Sequence, residues 1–452
     1  MPPPNITGKL HMGHALFATL QDISIRFKRM QGCAALWLPG TDHAGLATQA
    51  KLDEEMITLG LDPKGPDFHQ FAADYKANLK STITNQLRRC GASADWSRET
   101  FTLDDRYSDA VQEAWRRCQE AGITYEADGD LFIDMKAMAD DLLACLDRGE
   151  IEIIPKGGEG TMRTFLRNIE PWNVGRDIRW GHPIPGTDKV FDTWFSSALW
   201  PFATLGWPED TEDMRRFYPA AMIETADDIL FFWCARMLMM GRFLTGQTPF
   251  KTIFLHGLIR DKDGRKMSKS LGNGIDPLDI IDKFGCDSMR FALAEAATPG
   301  QDMRMWDEKF QAGKALRTKL WNASRYCLAH WDRMGSPAFQ RPSEATGDDV
   351  EMMRRMDGAT DRMTELLEGL SYHEAAHTIR QFIFDDLCGW YIEATKSRLY
   401  DENDGTALAT LMFCLDETLR LLHPFMPYVT ERIRAAYSTP LIGDDWPRRA
   451  LR

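Results

Sequence analysis

Apolar residues recur at helical spacing early in the chain, where Leu16, Leu20, Ile23, Phe27 and Met30 share one face and predict a helix. Cys33 to Leu38 is a short apolar run ending in Pro39-Gly40-Thr41, the pattern of a buried strand closing on a tight turn. A second helix is expected over Ala44 to Met56. Further on, the pattern predicts a helix near Lys136 to Leu146 and a strand near Ile151 to Ile154. A glycine-rich turn at Lys156 to Gly160 and a buried strand through Ile253-Phe254-Leu255 come next, then helices from Pro277 and from Asp287 to Ala297. Strands alternating with helices argue for an α/β fold whose ligands gather at the carboxyl ends of parallel strands. From Trp306 onward strand signals fade. Long helices broken near Gly335-Ser336-Pro337, at Gly347 and at Asp404-Gly405 predict an all-α helical bundle over 306–452.

Composition changes this picture little. A chain of 452 residues is long enough for two or three domains, and its 44% hydrophobic and 27% charged content is ordinary for a soluble globular protein. The nine cysteines form no Cys-x-x-Cys pair or close cluster, which argues against a disulfide framework or a cysteine-rich metal site and fits a reducing compartment. There is no signal pattern and no apolar run near the roughly 20 residues that span a bilayer, so a cytoplasmic protein without membrane contact is expected. The net charge of −13 by itself favours no nucleic-acid partner. Local basic foci remain: Lys309, Lys314, Arg317, Lys319 and Arg325 along one helical run, and the pair Arg88 and Arg89.

Three stretches carry candidate chemistry. Asp261 to Asn273 sets Lys262, Arg265, Lys266 and Lys269 beside Ser268 and Ser270, with Gly264, Gly272 and Gly274 to let the backbone bend. Cations, hydroxyls and glycines together suit a polyphosphate, although a solvated basic loop has the same composition. At the other end of the chain, His11-Met12-Gly13-His14 opens the first helix, whose N-terminus attracts phosphate. The two histidines can face one side of the first turn, and Gly13 lets a nucleotide approach the backbone; a capped helix start or a zinc pair has the same spacing, though no third His or Cys stands nearby. Asp42 falls at the carboxyl end of the expected strand, where it could hold an α-amino group or cap the next helix.

Lys266-Met267-Ser268-Lys269-Ser270 matches letter for letter the lysine loop of class I aminoacyl-tRNA synthetases, and His11-Met12-Gly13-His14 resembles their His-x-Gly-His element. The segments from Pro2 to His14, Pro39 to Gln49 and Gly91 to Arg98 resemble the valyl enzymes of that class more closely than the isoleucyl or leucyl ones. The similarity resumes from Phe191 to Pro201 and from Asp228 to Trp233, and includes Lys319 to Arg325 and His423 to Pro427, which resemble the family's anticodon-binding region.

The resemblance implies a split Rossmann-like parallel-sheet catalytic domain, its first half at 1–123 and its second half with the lysine loop at 186–305, followed by the helical bundle. The intervening 124–185 leaves no room for the editing domain that the family inserts there. The implied reaction is ATP-dependent activation of valine, or a similar small branched amino acid, and transfer to tRNA by a monomer, with Mg²⁺ carried by ATP and no protein metal ligand. His11, His14, Lys266 and Lys269 would be catalytic. Gly13, Asp228, His256, Met267, Ser268 and Ser270 would meet ATP, and Pro2, Asn5, Asp42, Trp194, Ile229 and Trp233 the amino acid. A paralogue feeding a biosynthetic pathway and a non-catalytic tRNA-binding derivative are the alternatives.

This sequence also departs from the family pattern. No apolar strand precedes Pro2, so either a reading frame starting upstream of Met1 or an open sheet is expected. Trp172 to Asp177 differs where the chain returns from the insertion, and Ala226 and Asp227 replace a glycine and an aromatic residue close to the ribose position.

Overall fold

A computed structural model describes residues 1–265, 267, 273–343, 345, 347–441 and 444–447. Its central parallel sheet has the order Glu152–Ile154, Phe250–His256, Ala220–Ala226. Phe250–His256 lies in the middle and its last four residues are buried, as expected for a strand covered on both faces. Glu152–Ile154, which belongs to the stretch expected as a connective insertion, is therefore a strand of this sheet. A separate parallel pair joins Gly40–Thr41 to Thr100–Phe101, and the N-terminal segment extends it through a parallel bridge from Asn5 to Asp42.

Two local expectations are corrected. Cys33 to Leu38 forms no strand: the Trp37 and Pro39 carbonyls accept single N–H groups from Asp95 and Thr100, and ladder pairing begins only at Gly40. A Cβ at Gly40 would lie 2.2 Å from the Trp200 ring and 2.3 Å from the Thr100 carbonyl oxygen, so close strand approach requires the glycine. Lys156 to Gly160 is not a turn but the start of the helix Gly157–Arg167. A Cβ at Gly158 would come within 2.8 Å of both Ile153 and Leu255, so here the glycine lets a helix lie close on the sheet.

The remaining elements follow the apolar pattern. The opening helix is Met12–Met30, the next Gly45–Thr58, and Lys136–Asp147, Pro277–Phe284 and Cys286–Ala296 stand where periodicity puts them. A hairpin, Thr124–Ala127 with Asp130–Ile133, was not foreseen. Beyond residue 306 the helices Asp307–Arg333, Asp348–Glu368 and Gly405–Leu422 begin or end at the expected breaks. One hydrophobic core runs from Leu16 and Leu20 of the opening helix through Met289 and Leu293 into Leu316, Ile379 and Leu415 of the bundle. No helix among the described residues is long and apolar enough to cross a membrane, and the nine cysteines are free.

Candidate active site

The opening motif folds as a loop closing onto a helix. His11 is the N-cap: its Nδ1 accepts from the Gly13 N–H at 3.1 Å, and His14 Nδ1 accepts from the His11 N–H at 3.2 Å. This is a reciprocal capping box built from two imidazoles whose centroids lie 4.0 Å apart, so the helix start is capped by the two histidines. A ring that accepts through Nδ1 carries its proton on Nε2, a donor suited to an anion. A Cβ at Gly13 would sit 2.9 Å from His11 Cε1, so the glycine leaves room for the cap itself.

Asp42, 3% exposed, lies beside the bridge to Asn5. Its Oδ1 accepts from the Ala44 N–H at 2.6 Å and from the Thr193 hydroxyl at 2.8 Å, and its Oδ2 accepts from the Ser197 hydroxyl. Burial pushes its carboxyl above the ordinary range, and these hydrogen bonds act against that rise. The bond to the Ala44 N–H is a turn contact two residues on, and no side chain caps the helix Gly45–Thr58, so the helix-cap role does not hold. Thr193 and Ser197 were overlooked in the sequence, although both lie in the Phe191 to Pro201 stretch.

Trp194, Ile229 and Trp233 gather next to Asp42. Trp233 is 3% exposed and donates its indole N–H to the Ser197 carbonyl at 3.0 Å; Trp194 stacks on Phe232 at 6.1 Å between centroids. Ala226 precedes the turn Asp227–Ile229, and His256 ends the strand Phe250–His256 at its carboxyl end.

Pro2, Asn5, His11, Gly13, His14, Asp42, Trp194, Asp228, Ile229, Trp233, His256 and Met267 all line one cavity of about 750 Å³. One end is apolar, as a small amino-acid side chain requires, and the other is a helix N-terminus with two histidines. Lys266, Ser268, Lys269 and Ser270 lie outside the described residues. The flanks of their loop are described: Asp261 accepts from Arg265 Nε at 2.8 Å and from Asn273 Nδ2 at 2.9 Å, joining its two sides. Arg265 also pairs with Asp263 at 3.1 Å, so one of the four cations expected to meet phosphate is engaged by its own loop. Among the described residues no group of three or more His, Cys, Asp or Glu is arranged to hold a metal ion.

Comparison with known proteins agrees with this geometry. Residues 1–130, 125–187 and 186–306 match the tRNA synthetases class I (I, L, M and V), and residues 349–451 the anticodon-binding domain of tRNA ligases. The chain is 32% identical to a valine–tRNA ligase of Carboxydothermus hydrogenoformans, over 96% of this chain and 74% of the relative. It is also 32% identical to one of Symbiobacterium thermophilum, over 96% and 72%. The first aligned stretch, 652 residues, exceeds the 452 of this chain, so that relative carries insertions within it. The fold resembles Mycobacterium tuberculosis methionyl-tRNA synthetase in complex with methionyl-adenylate, with a TM-score of 0.80 at 22% identity over 99% of this chain and 97% of that one. It likewise resembles a leucyl enzyme of Agrobacterium radiobacter in a ternary complex with tRNA, with a TM-score of 0.80 at 15% identity over 98% and 86%. With the family matched across the α/β part and the anticodon-binding domain matched in the bundle, the chain belongs to the class I tRNA synthetases and is an aminoacyl-tRNA synthetase of the valine–tRNA ligase type.

Proposed function

We propose that this chain activates valine, or a similar small branched amino acid, with ATP and transfers it to a valine-type tRNA without editing. The observation that carries the reading is the single cavity in which Asp42, the Trp194–Ile229–Trp233 wall and the His11–His14 helix start meet. Asp42 would hold the α-ammonium group, and the two indoles with Ile229 and Pro2 would enclose a small branched side chain; Asn5 flanks it. The carboxylate of the amino acid attacks the α-phosphorus of ATP, the bond to the β-phosphate oxygen breaks, and pyrophosphate leaves. No covalent bond to the protein forms. His11, His14, Lys266 and Lys269 would stabilise the charge that builds on the phosphates, while Gly13, Asp228, His256, Met267, Ser268 and Ser270 would position the nucleotide. Mg²⁺ would arrive on the phosphates, and we name no protein ligand for it. The terminal ribose of tRNA then takes the aminoacyl group.

We divide the chain into catalytic halves at 1–123 and 186–305, a short connection at 124–185 and a bundle at 306–452. Exposed Lys309, Lys319 and Arg325 on the helix Asp307–Arg333 suit a phosphate backbone. We place the protein in the cytoplasm as a monomer. The compact 124–185 also favours a second reading, in which the activated amino acid or aminoacyl-tRNA feeds a biosynthetic pathway. Pyrophosphate exchange with each amino acid, with and without tRNA, tests both. Exchange driven by valine and charging of a valine-type tRNA support the first. A different preferred amino acid supports the second, and no exchange with any amino acid would leave a non-catalytic tRNA-binding derivative.

A further inference from the structure

Glu224 is a buried acid, 1% exposed, on the strand Ala220–Ala226, and the chemistry above gives it no part. Its two oxygens are divided between two partners. Oε2 accepts from Gln21 Nε2 at 2.8 Å, and Oε1 meets His256 Nδ1. Gln21 cannot turn its amide over without loss. Its oxygen accepts from the Trp37 indole N–H at 2.9 Å, and indole is a donor only, so the amide NH₂ is obliged to face Glu224, where it also reaches the backbone carbonyl at 3.1 Å. The sheet supplies the geometry. Phe254 pairs with Glu224 and His256 with Ala226, so Glu224 and His256 are diagonal neighbours on one face, at the carboxyl end that borders the cavity.

We propose that Glu224, held by Gln21 and Trp37, is a positioning residue that fixes His256 as the Nδ1–H tautomer, so that its Nε2 accepts a hydrogen bond from a hydroxyl or amino donor of the ATP nucleoside. The hydrogen-bond inventory leads there directly. A carboxylate already receiving the Gln21 amide accepts the Nδ1 proton of His256, and the neutral ring then has one acceptor nitrogen to offer a ligand. His11 and His14 have the opposite arrangement, with Nδ1 accepting and the proton on Nε2. The cavity thus holds two kinds of imidazole: donors at the helix start, suited to phosphate, and an acceptor at the sheet edge, suited to the nucleoside. A buried charge that is hydrogen-bonded on both oxygens is costly to disturb, which keeps the ring orientation fixed.

The inference rests on the ATP-activating reading and is tested by ATP affinity. In Glu224→Gln the new amide satisfies Gln21 and His256 together only by accepting from Gln21 Nε2 and donating its NH₂ to His256 Nδ1, which moves the ring proton to Nε2 and removes the acceptor offered to the nucleoside. The swap Gln21→Glu with Glu224→Gln restores the side-chain pairing from Trp37 to His256 and keeps the His256 tautomer with the charge moved to position 21, giving up only the hydrogen bond to the Glu224 backbone carbonyl. We expect E224Q to raise the KM for ATP in valine-dependent exchange about tenfold, the worth of one hydrogen bond, and to leave the KM for valine unchanged. The swap should return the KM for ATP to within about twofold of wild type, and E224Q should add nothing in a His256→Ala background, since paired groups do not act additively. Equal changes in both KM values, or effects of E224Q and H256A that multiply, would overturn the proposal. So would a swap no better than E224Q. Titration calorimetry with ATP alone makes the same comparison for a protein that shows no exchange. Lost exchange with intact, Glu224-dependent ATP binding would sink the activation reading alone; a wild-type chain that binds no ATP overturns both.

Discussion

Asp42 carries a cost of its own. Its carboxyl is raised by burial, so the folded chain holds that proton to higher pH than the unfolded chain does. Stability therefore falls as pH rises through the folded value, and the penalty is absent below the ordinary carboxylate range. An incoming α-ammonium group would relieve it. Asp42→Asn is expected to raise the melting temperature at pH 8 and not at pH 3. The same variant should lose valine-dependent exchange by at least about tenfold, the size of a lost charge-assisted hydrogen bond. A variant that exchanges normally would remove Asp42 from the amino-acid site. Three buried histidines set the opposite limb. Burial pushes His43, His182 and His423 down to about 3, so they stay neutral when folded. The unfolded chain takes up those protons as pH falls below about 6.5, so stability is complete above that value and is lost on acidification, by at most about 1.4 kcal/mol per pH unit for each histidine. Urea midpoints at pH 7.5 and 5.5 measure this, and His423→Asn should flatten the slope.

Among the elements, the lysine loop is the one held at its base. Asn273 and then Arg265 hold the Asp261 carboxyl at about 2, so the clasp is intact at any pH well above that and opens only in strong acid. Asp261→Ala should lower the rate of pyrophosphate exchange by about tenfold with little change in the KM for valine, since a loop acting on the transition state shows itself in turnover. Lys269→Ala should show the same pattern more strongly. An unchanged rate in that variant would take Lys269 out of the mechanism. With Arg265 engaged by Asp261 and Asp263, the remaining loop cations are Lys262, Lys266 and Lys269.

Across the whole molecule, Arg290 ties the parts together. It is fully buried, and its guanidinium reaches Asp22 of the opening helix at 2.7 Å, the Cys90 carbonyl at 3.2 Å, and the Pro424 and Phe425 carbonyls of the bundle at 2.8 and 3.2 Å. Burial would raise the Asp22 carboxyl; Arg26 and Arg290 outweigh that and hold it low. Arg290→Met leaves a buried carboxylate with less compensation and should destabilise the fold by about 3–5 kcal/mol, with part of the loss recovered by Asp22→Asn. Equilibrium denaturation of the three proteins checks this. The proposed lack of editing also belongs to this scale. Threonine is nearly isosteric with valine, and an apolar pocket rejects an added hydroxyl only weakly. The protein is therefore expected to accumulate threonyl-tRNA when given threonine and a matching tRNA. Deacylation of pre-formed threonyl-tRNA well above the uncatalysed rate would contradict this and direct attention to Asp134 to Gly160.

The sequence by itself determined the helices, because their apolar residues recur every three to four positions, and the breaks at Gly347 and Asp404-Gly405, where local backbone preference is strong. Of the residues it marked for the site, those described line one cavity, while Ser197 of the same cavity carried no sign in the sequence. His11, Asp42, Trp194 and His256 all lie in stretches singled out by their chemistry or by the resemblance, and all line that cavity. What it could not fix were contacts between distant segments. Gly40 and Gly158 read as turn formers when seen alone, yet Trp200 in one case and Ile153 with Leu255 in the other require the missing side chain. Cys33 to Leu38 has the composition of a strand but forms none, because a strand exists only where a neighbour pairs with it. Glu224, the one charged residue of its strand, was the local sign of the His256 network; its partners stand 203 and 32 residues away, and only the packing of the opening helix on the sheet joins them.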